Sequence, residues 1–192
     1  MKKYKVRVVG VTPYMQHRMD DIKLEEWEKS HNLVVTRPEV SQSEATRAEY
    51  HSYRSPSGKC YIPSEQFRQS FIGAGTLVKS KVGAQTKSMK AIIAGQWIIE
   101  EDQIQMPDYD AIDKRSAVNK NVKARVITIR PKWNKWSAEF TLVIDNDTTP
   151  KEMIEKIIGF SGNNVGIGSY RPTNSGMFGR FKLNSLTELD SL

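Results

Sequence analysis

Val165-Gly166-Ile167-Gly168-Ser169-Tyr170-Arg171-Pro172, followed by Ser175-Gly176-Met177-Phe178-Gly179-Arg180-Phe181-Lys182-Leu183, is the stretch around which the chain is organised. Four glycines fall between Gly166 and Gly179, Arg171 and Arg180 accompany them, and the segment runs straight into a strand pattern. Glycine has no Cβ, so its backbone can approach another surface closely and leave N–H groups open to an anion. Gly166, Gly168, Ser169 and Arg171 are therefore candidates to line a phosphate-binding groove. An ordinary turn has the same composition, so the meaning of the loop depends on what surrounds it.

With 192 residues the chain suits one embellished domain, 1–192, with a real core. No apolar run approaches the roughly 20 residues of a membrane span. Met1-Lys2-Lys3-Tyr4-Lys5 leads into a strand pattern and not a secretory leader, which points to the cytoplasm. The single cysteine, Cys60, excludes an internal disulfide and multi-cysteine metal sites, and beside Tyr61 and Ile62 it reads as core. No cofactor or metal pattern is visible.

The formal charge of +7 is unevenly distributed. Between Glu65 and Glu100 there is no acidic residue, but there are Arg68, Lys79, Lys81, Lys87 and Lys90. Between Asp113 and Glu139 the cations are Lys114, Arg115, Lys120, Lys123, Arg125, Arg130, Lys132 and Lys135, again with no carboxylate among them. Acidic residues gather in 20–28, 100–113 and the tail. Such segregation predicts a positive face and a polyanionic partner whose condensed counterions are released on binding.

Along the chain, Tyr4, Val6 and Val8 alternate with Lys3, Lys5 and Arg7, the mark of a strand with one buried and one basic face. An insertion over 17–59 follows, with an acidic helix predicted over 20–31 and a long polar excursion from Thr36 to Lys59. There Tyr50 and Tyr53 alternate with Arg47, His51 and Arg54, a mix suited to stacking on bases while neutralising phosphates. Tyr61-Ile62-Pro63-Ser64 opens a helix capped by Ser64, with Phe67, Phe71, Ala74 and Leu77 on its inner face. Gly73 and Gly75 within it predict close packing against another backbone. Residues 79–90 read as a loop on the positive face, and Ile92-Ile93 and Gln96-Trp97-Ile98-Ile99 as strands.

Residues 114–145 read as a basic hairpin, with Lys123–Arg130 as one strand, Pro131–Trp136 as the turn and Ala138–Ile144 as its mate. Trp133, near the predicted tip, is a candidate wedge or stacking group. Thr149-Pro150-Lys151-Glu152 reads as a capping box opening a second helix that buries Met153, Ile154, Ile157 and Ile158 and ends at Gly159 and Gly162. The resulting order predicts an α+β fold with the split βαβ layout of ferredoxin-like and RNA-recognition-motif domains, an antiparallel sheet backed by two helices.

Three segments in this order resemble the RAMP superfamily, the repeat-associated proteins that form backbone and processing subunits of CRISPR effector complexes. They are the strand-to-helix step at Tyr61-Ile62-Pro63-Ser64, the basic hairpin from Asn119 to Ile144, and the helix followed by Gly166-Ile167-Gly168 and Gly176-Met177-Phe178-Gly179-Arg180-Phe181. A phage or mobile-element relative using the same fold would carry the same signature. The resemblance implies single-stranded RNA or DNA held along a positive groove, with self-association or RAMP-like partner subunits. It also implies that a histidine or aspartate after the first strand can serve RNA cleavage in some members, a region occupied here by His17, Asp20 and Asp21.

The expectation is a non-catalytic single-strand binder, RNA preferred, with no membrane partner. Lys120, Lys123, Arg125, Arg130 and Lys132 would meet phosphates, Trp133 would stack, Gly166, Gly168, Ser169 and Arg171 would line the groove, and Arg68, Lys79, Lys81 and Lys87 would extend it. An endoribonuclease and a purely structural assembly protein are the alternatives.

Overall fold

The computed structural model describes residues 1–18, 43–82, 85–119, 124–145 and 149–189. The chain begins with β1 (Lys2–Gly10), β2 (Tyr14–Met15), α1 (Glu44–Tyr50), β3 (Tyr61–Pro63), α2 (Ser64–Leu77), β4 (Lys79–Val82) and β5 (Gln85–Ser88). It continues through α3 (Lys90–Gln96), β6 (Trp97–Ile99), β7 (Gln103–Gln105), β8 (Ala111–Asn119), β9 (Ala124–Trp133), β10 (Ser137–Ile144), α4 (Lys151–Phe160) and β11 (Phe181–Leu189). A π-helical turn, Ser161–Val165, and a 3-10 turn, Pro172–Asn174, lie between the last two.

The principal sheet has the order β11-β1-β10-β6, antiparallel throughout. With α2 between β1 and β6 and α4 between β10 and β11, the order is strand, helix, strand, strand, helix, strand, with the first and third strands central. This is the ferredoxin-like arrangement that the sequence order predicts. Smaller antiparallel ladders, β2-β9-β8, β3-β7 and β4-β5, are added to it.

Period-two alternation in β1 and β10 puts Tyr4, Val6, Val8, Ala138, Phe140, Leu142 and Ile144 in the core. Phe67 of α2 lies over that face, with its ring 4.9 Å from Phe140 and 5.4 Å from Phe181. Phe71 one turn later meets Trp97 and Phe140, while Ile154, Ile157 and Ile158 bury α4. Gly75 is where α2 and α3 touch, since a Cβ there would lie 2.9 Å from the Lys90 backbone nitrogen. A bulge between Arg7 and Val8 shifts the β1–β11 register, pairing Arg7 with Ser185 and Val8 with Leu183.

Several local expectations are corrected. Ile92-Ile93 belongs to α3, not a strand; a short apolar run does not by itself separate helix from strand. The predicted loop at 79–90 contains the β4–β5 hairpin, and Leu77 is exposed. Neither principal helix has the predicted side-chain cap, because Pro63 and Pro150 occupy the cap positions. α4 runs past Gly159 to Phe160 and then widens into the π turn that holds Gly162. Most consequentially, β9 pairs with β8 in a register from Ala111↔Lys132 to Asn119↔Ala124, and β10 enters the principal sheet instead. The basic hairpin is therefore β8–β9. The expected acidic helix at 20–31 lies outside the described residues.

The polar excursion also contains structure. α1 is capped by Ser43, whose hydroxyl accepts from the Thr46 N–H at 3.1 Å. Arg54, which pairs with Glu49, reaches Asp108 at 2.7 Å and so ties this region to the approach to β8.

Candidate nucleic-acid interface

The open face of the sheet is not a bare cationic platform. Lys3 pairs with Glu100 at 2.5 Å and Lys5 with Glu139 at 3.3 Å. Alternation fixes which side these lysines occupy, but neighbouring strands and loops supply the carboxylates that answer them.

A cleft of about 1170 Å³ lies elsewhere, bounded by Glu65, Gln66, Gln69, Ser70 and Gly73 of α2 and by the glycine loop. His17, Tyr53, Pro63 and Arg130 also line it. Buried Gln16 ties its surroundings together, donating to the Tyr61 carbonyl at 2.8 Å and accepting from the Tyr53 N–H at 2.8 Å. The Tyr14 hydroxyl donates to Gln66 at 2.9 Å, and burial raises its pKa. The Ser70–Ser161 hydroxyl contact at 2.7 Å fastens α2 to the π turn. These internal bonds hold the lining before any ligand arrives.

The glycine loop is a packing device. A Cβ at Gly168 would lie 2.4 Å from the Met15 carbonyl, one at Gly179 would lie 1.8 Å from the Ile167 carbonyl, and both glycines have positive φ. The Gly166 N–H donates to Ser161 O at 2.8 Å and the Ser169 N–H to Met15 O at 2.9 Å. Gly166, Gly168 and Ser169 do line the cleft, but the first and last spend their amides on protein acceptors. The expected anion contact through those amides is corrected accordingly.

Side chains supply the cleft's charge. Arg171 is half-buried and donates from Nη1 to Gly168 O at 3.0 Å and from Nε to Thr173 Oγ1 at 3.1 Å. Arg130 is only 7% exposed. Its Nε donates to His17 Nδ1 at 3.3 Å, and its guanidinium carbon sits 4.8 Å from the centre of the Tyr170 ring. Its Nη1 is buried with no hydrogen-bond partner among the described residues. An unanswered buried donor costs about 1–3 kcal/mol, and more when charged. His17 stacks on His51 at 4.2 Å, and His51 contacts the Arg18 carbonyl through Nδ1 at 3.0 Å.

Arg115 joins the other side of this assembly, 5.5 Å from the Tyr170 ring and 4.7 Å from Phe178. Buried Asp113 holds it by two hydrogen bonds, which raise the Arg115 pKa. Tyr170, gripped between two guanidinium groups, adopts φ +52, a conformation a side-chain-bearing residue rarely takes. Hairpin β8–β9 thus clasps the glycine loop.

No family model and no curated protein matches the chain. Among solved structures, a chain from the cryo-EM structure of the Type III-B Cmr-beta bound to cognate target RNA aligns with a TM-score of 0.54 at 10% sequence identity. This likeness shows a shared fold. It covers 98% of this chain and 61% of the neighbour, so this chain spans about three fifths of that neighbour's length.

The other residues expected at the interface are dispersed over several elements. Arg68 braces α2 against α3 by donating to Ala94 O at 2.8 Å, while Lys79 and Lys87 are exposed on β4–β5. The backbone of Lys81 belongs to the same hairpin, and Arg125 pairs with Val118 in β8–β9. Lys120 and Lys123 lie outside the described residues, as do Asp20 and Asp21. Lys132 is half-buried at the base of β9.

Trp133 is a correction: it is 1% exposed, donates from Nε1 to Pro107 O at 2.8 Å and packs on Tyr14 and Tyr109. It is core, since the predicted turn is in fact the base of a strand. Tyr53 and Arg54 are likewise engaged internally, Tyr53 against Tyr61 and Arg54 with Glu49 and Asp108. Sequence reading missed the conjunction of His17 with Arg130, which are 113 positions apart. Arg115, Tyr170 and Phe178 were missed for the same reason, because no local pattern announces their meeting.

The described helices include none long and apolar enough to cross a membrane.

Proposed function

We propose that the chain is a non-catalytic protein that binds single-stranded nucleic acid, RNA by preference. It holds phosphates in the cleft beside the glycine loop and over neighbouring cations, and it assembles in copies along the strand or with RAMP-like subunits. The observation carrying this reading is the cleft, which gathers Arg130, Arg171 and His17 on a ferredoxin-like frame. The excess of cations, +7 overall, favours a polyanionic ligand. The target RNA bound in the solved neighbour makes RNA the first ligand to test.

Fluorescence anisotropy with labelled single-stranded RNA and DNA tests the reading. Affinity should fall steeply with salt and depend little on base sequence, with a slope of about 0.7 per phosphate neutralised. Replacing Lys79 and Lys87 by glutamine should flatten that slope by roughly 0.7 for each phosphate no longer neutralised. Absence of binding to any single strand at low salt would reject the reading in favour of a structural assembly role.

One observation favours a second reading, an endoribonuclease: His17 lines the cleft beside a buried arginine, where an imidazole can move a proton at a ribose oxygen. Cleavage of labelled RNA that disappears in His17→Ala would establish it. Intact RNA after prolonged incubation with the wild-type protein returns the reading to binding alone.

A further inference from the structure

We infer that Arg130 forms a discrete phosphate subsite within the cleft, taking one phosphate of a bound strand, with Arg171 as its companion cation. This rests on the nucleic-acid reading and adds to it a specific contact, separate from the exposed lysines of β4–β5.

The starting observation is a charged group with a donor left over. Arg130 is more than nine-tenths buried, its Nε is committed to His17, its face is committed to Tyr170, and Nη1 has no acceptor among the described residues. No ion pair to it occurs among the described residues, whereas Arg115, its counterpart across Tyr170, is matched by Asp113. A lining guanidinium with one donor left over after its internal contacts suits an acceptor that arrives with the ligand.

The surroundings select the class of acceptor. Among the described residues, Glu65 is the one carboxylate lining the cleft, and it is already engaged by Gln69 at 2.6 Å and Arg68 at 3.5 Å. Ser169, Thr173 and Ser175 bring hydroxyls to the same lining, and Arg171 brings the second guanidinium. A planar guanidinium edge matches adjacent phosphate oxygens and binds them through charge-assisted hydrogen bonds. About 1170 Å³ exceeds what a lone phosphate fills and leaves room for the nucleoside attached to it. Gly166 and Ser169 donate their amides internally, so the charge offered to an anion here comes from the two guanidinium groups. The ligand chemistry is a phosphate ester, internal in a strand or terminal.

The test compares one oligonucleotide in unphosphorylated, 5′-phosphorylated and 3′-phosphorylated forms, with wild type, Arg130→Gln, Arg130→Lys, Arg171→Gln and the exposed control Lys156→Gln. Folding is checked by circular dichroism. Arg130→Gln should weaken binding at least about tenfold, and Arg130→Lys should restore only part of it, since an ammonium lacks the planar fork. Arg171→Gln should weaken it less, and Lys156→Gln should leave it unchanged. Gain from an added end phosphate that vanishes in Arg130→Gln assigns the subsite to a terminal monoester; equal weakening with all three strands assigns it to an internal diester.

Should the Arg130 variants fail to fold, the wild-type protein still decides. Inorganic phosphate titrated at constant ionic strength should raise its melting temperature saturably and compete with the strand. Strand binding that is indifferent to folded Arg130→Gln, or, where that variant does not fold, to competing phosphate, overturns the subsite while leaving the nucleic-acid reading intact. No strand binding combined with saturable phosphate stabilisation does the reverse.

Discussion

Gly179 and Gly58 share a left-handed backbone, with φ +66 and φ +81, yet their surroundings differ completely. A methyl group at Gly179 would collide with the Ile167 carbonyl, whereas at Gly58 it would meet nothing within 4 Å. Gly58→Ala should therefore cost only the conformational term, about 1 kcal/mol, and Gly179→Ala about 3 kcal/mol or more. Denaturant unfolding of the two variants separates these contributions, and equal losses would contradict the packing account of the loop. The same pair shows where sequence reading stops at this scale. A glycine reports that a close approach or an unusual φ is needed, but not whether the neighbour is a ligand or the protein's own backbone. Arg130 was legible as a cation, and its burial against His17 was not.

At the scale of elements, α1 is held by charge as much as by packing. Arg54 is the largest cause lowering the pKa of Glu49, and it lowers that of Asp108 as well, while the Tyr109 hydroxyl adds a hydrogen bond to Glu49 at 3.2 Å. A carboxylate whose folded pKa is depressed stabilises the fold above its ordinary value, 4.5 for Glu49, and loses that contribution as pH falls through the folded value. Discounted for solvent screening, the Glu49 contribution is about 1 kcal/mol, or about 2–4 °C in melting temperature. The gap between wild type and Glu49→Gln should be widest near neutrality and close below about pH 4.5. A gap independent of pH would mean that the ion pair does not hold α1. α2 and β1 were readable because period and element agree, as Phe67, Phe71 and Ala74 demonstrate. The partner of β9 was not readable, because alternation says which face is buried and nothing about which strand lies alongside.

For the whole molecule, Cys60 reports integrity. It is fully buried in the core, and desolvation pushes its thiol up to about 11. At about pH 8 its alkylation should be at least about 10²-fold slower than in denaturant and should follow global unfolding. Rapid labelling of the folded protein would instead reveal a local opening around β3. The order of elements was legible because each turn of the ferredoxin-like path leaves its own local signature, whereas the cleft is assembled from distant segments and leaves none. That path also reaches into biogenesis. β1 lies between β10 and β11, and Lys3 pairs with both Val143 and Leu189. During translation its hydrogen-bonding edges must wait for partners that leave the ribosome far later, so the nascent sheet passes through a stage with open edges that other chains can join.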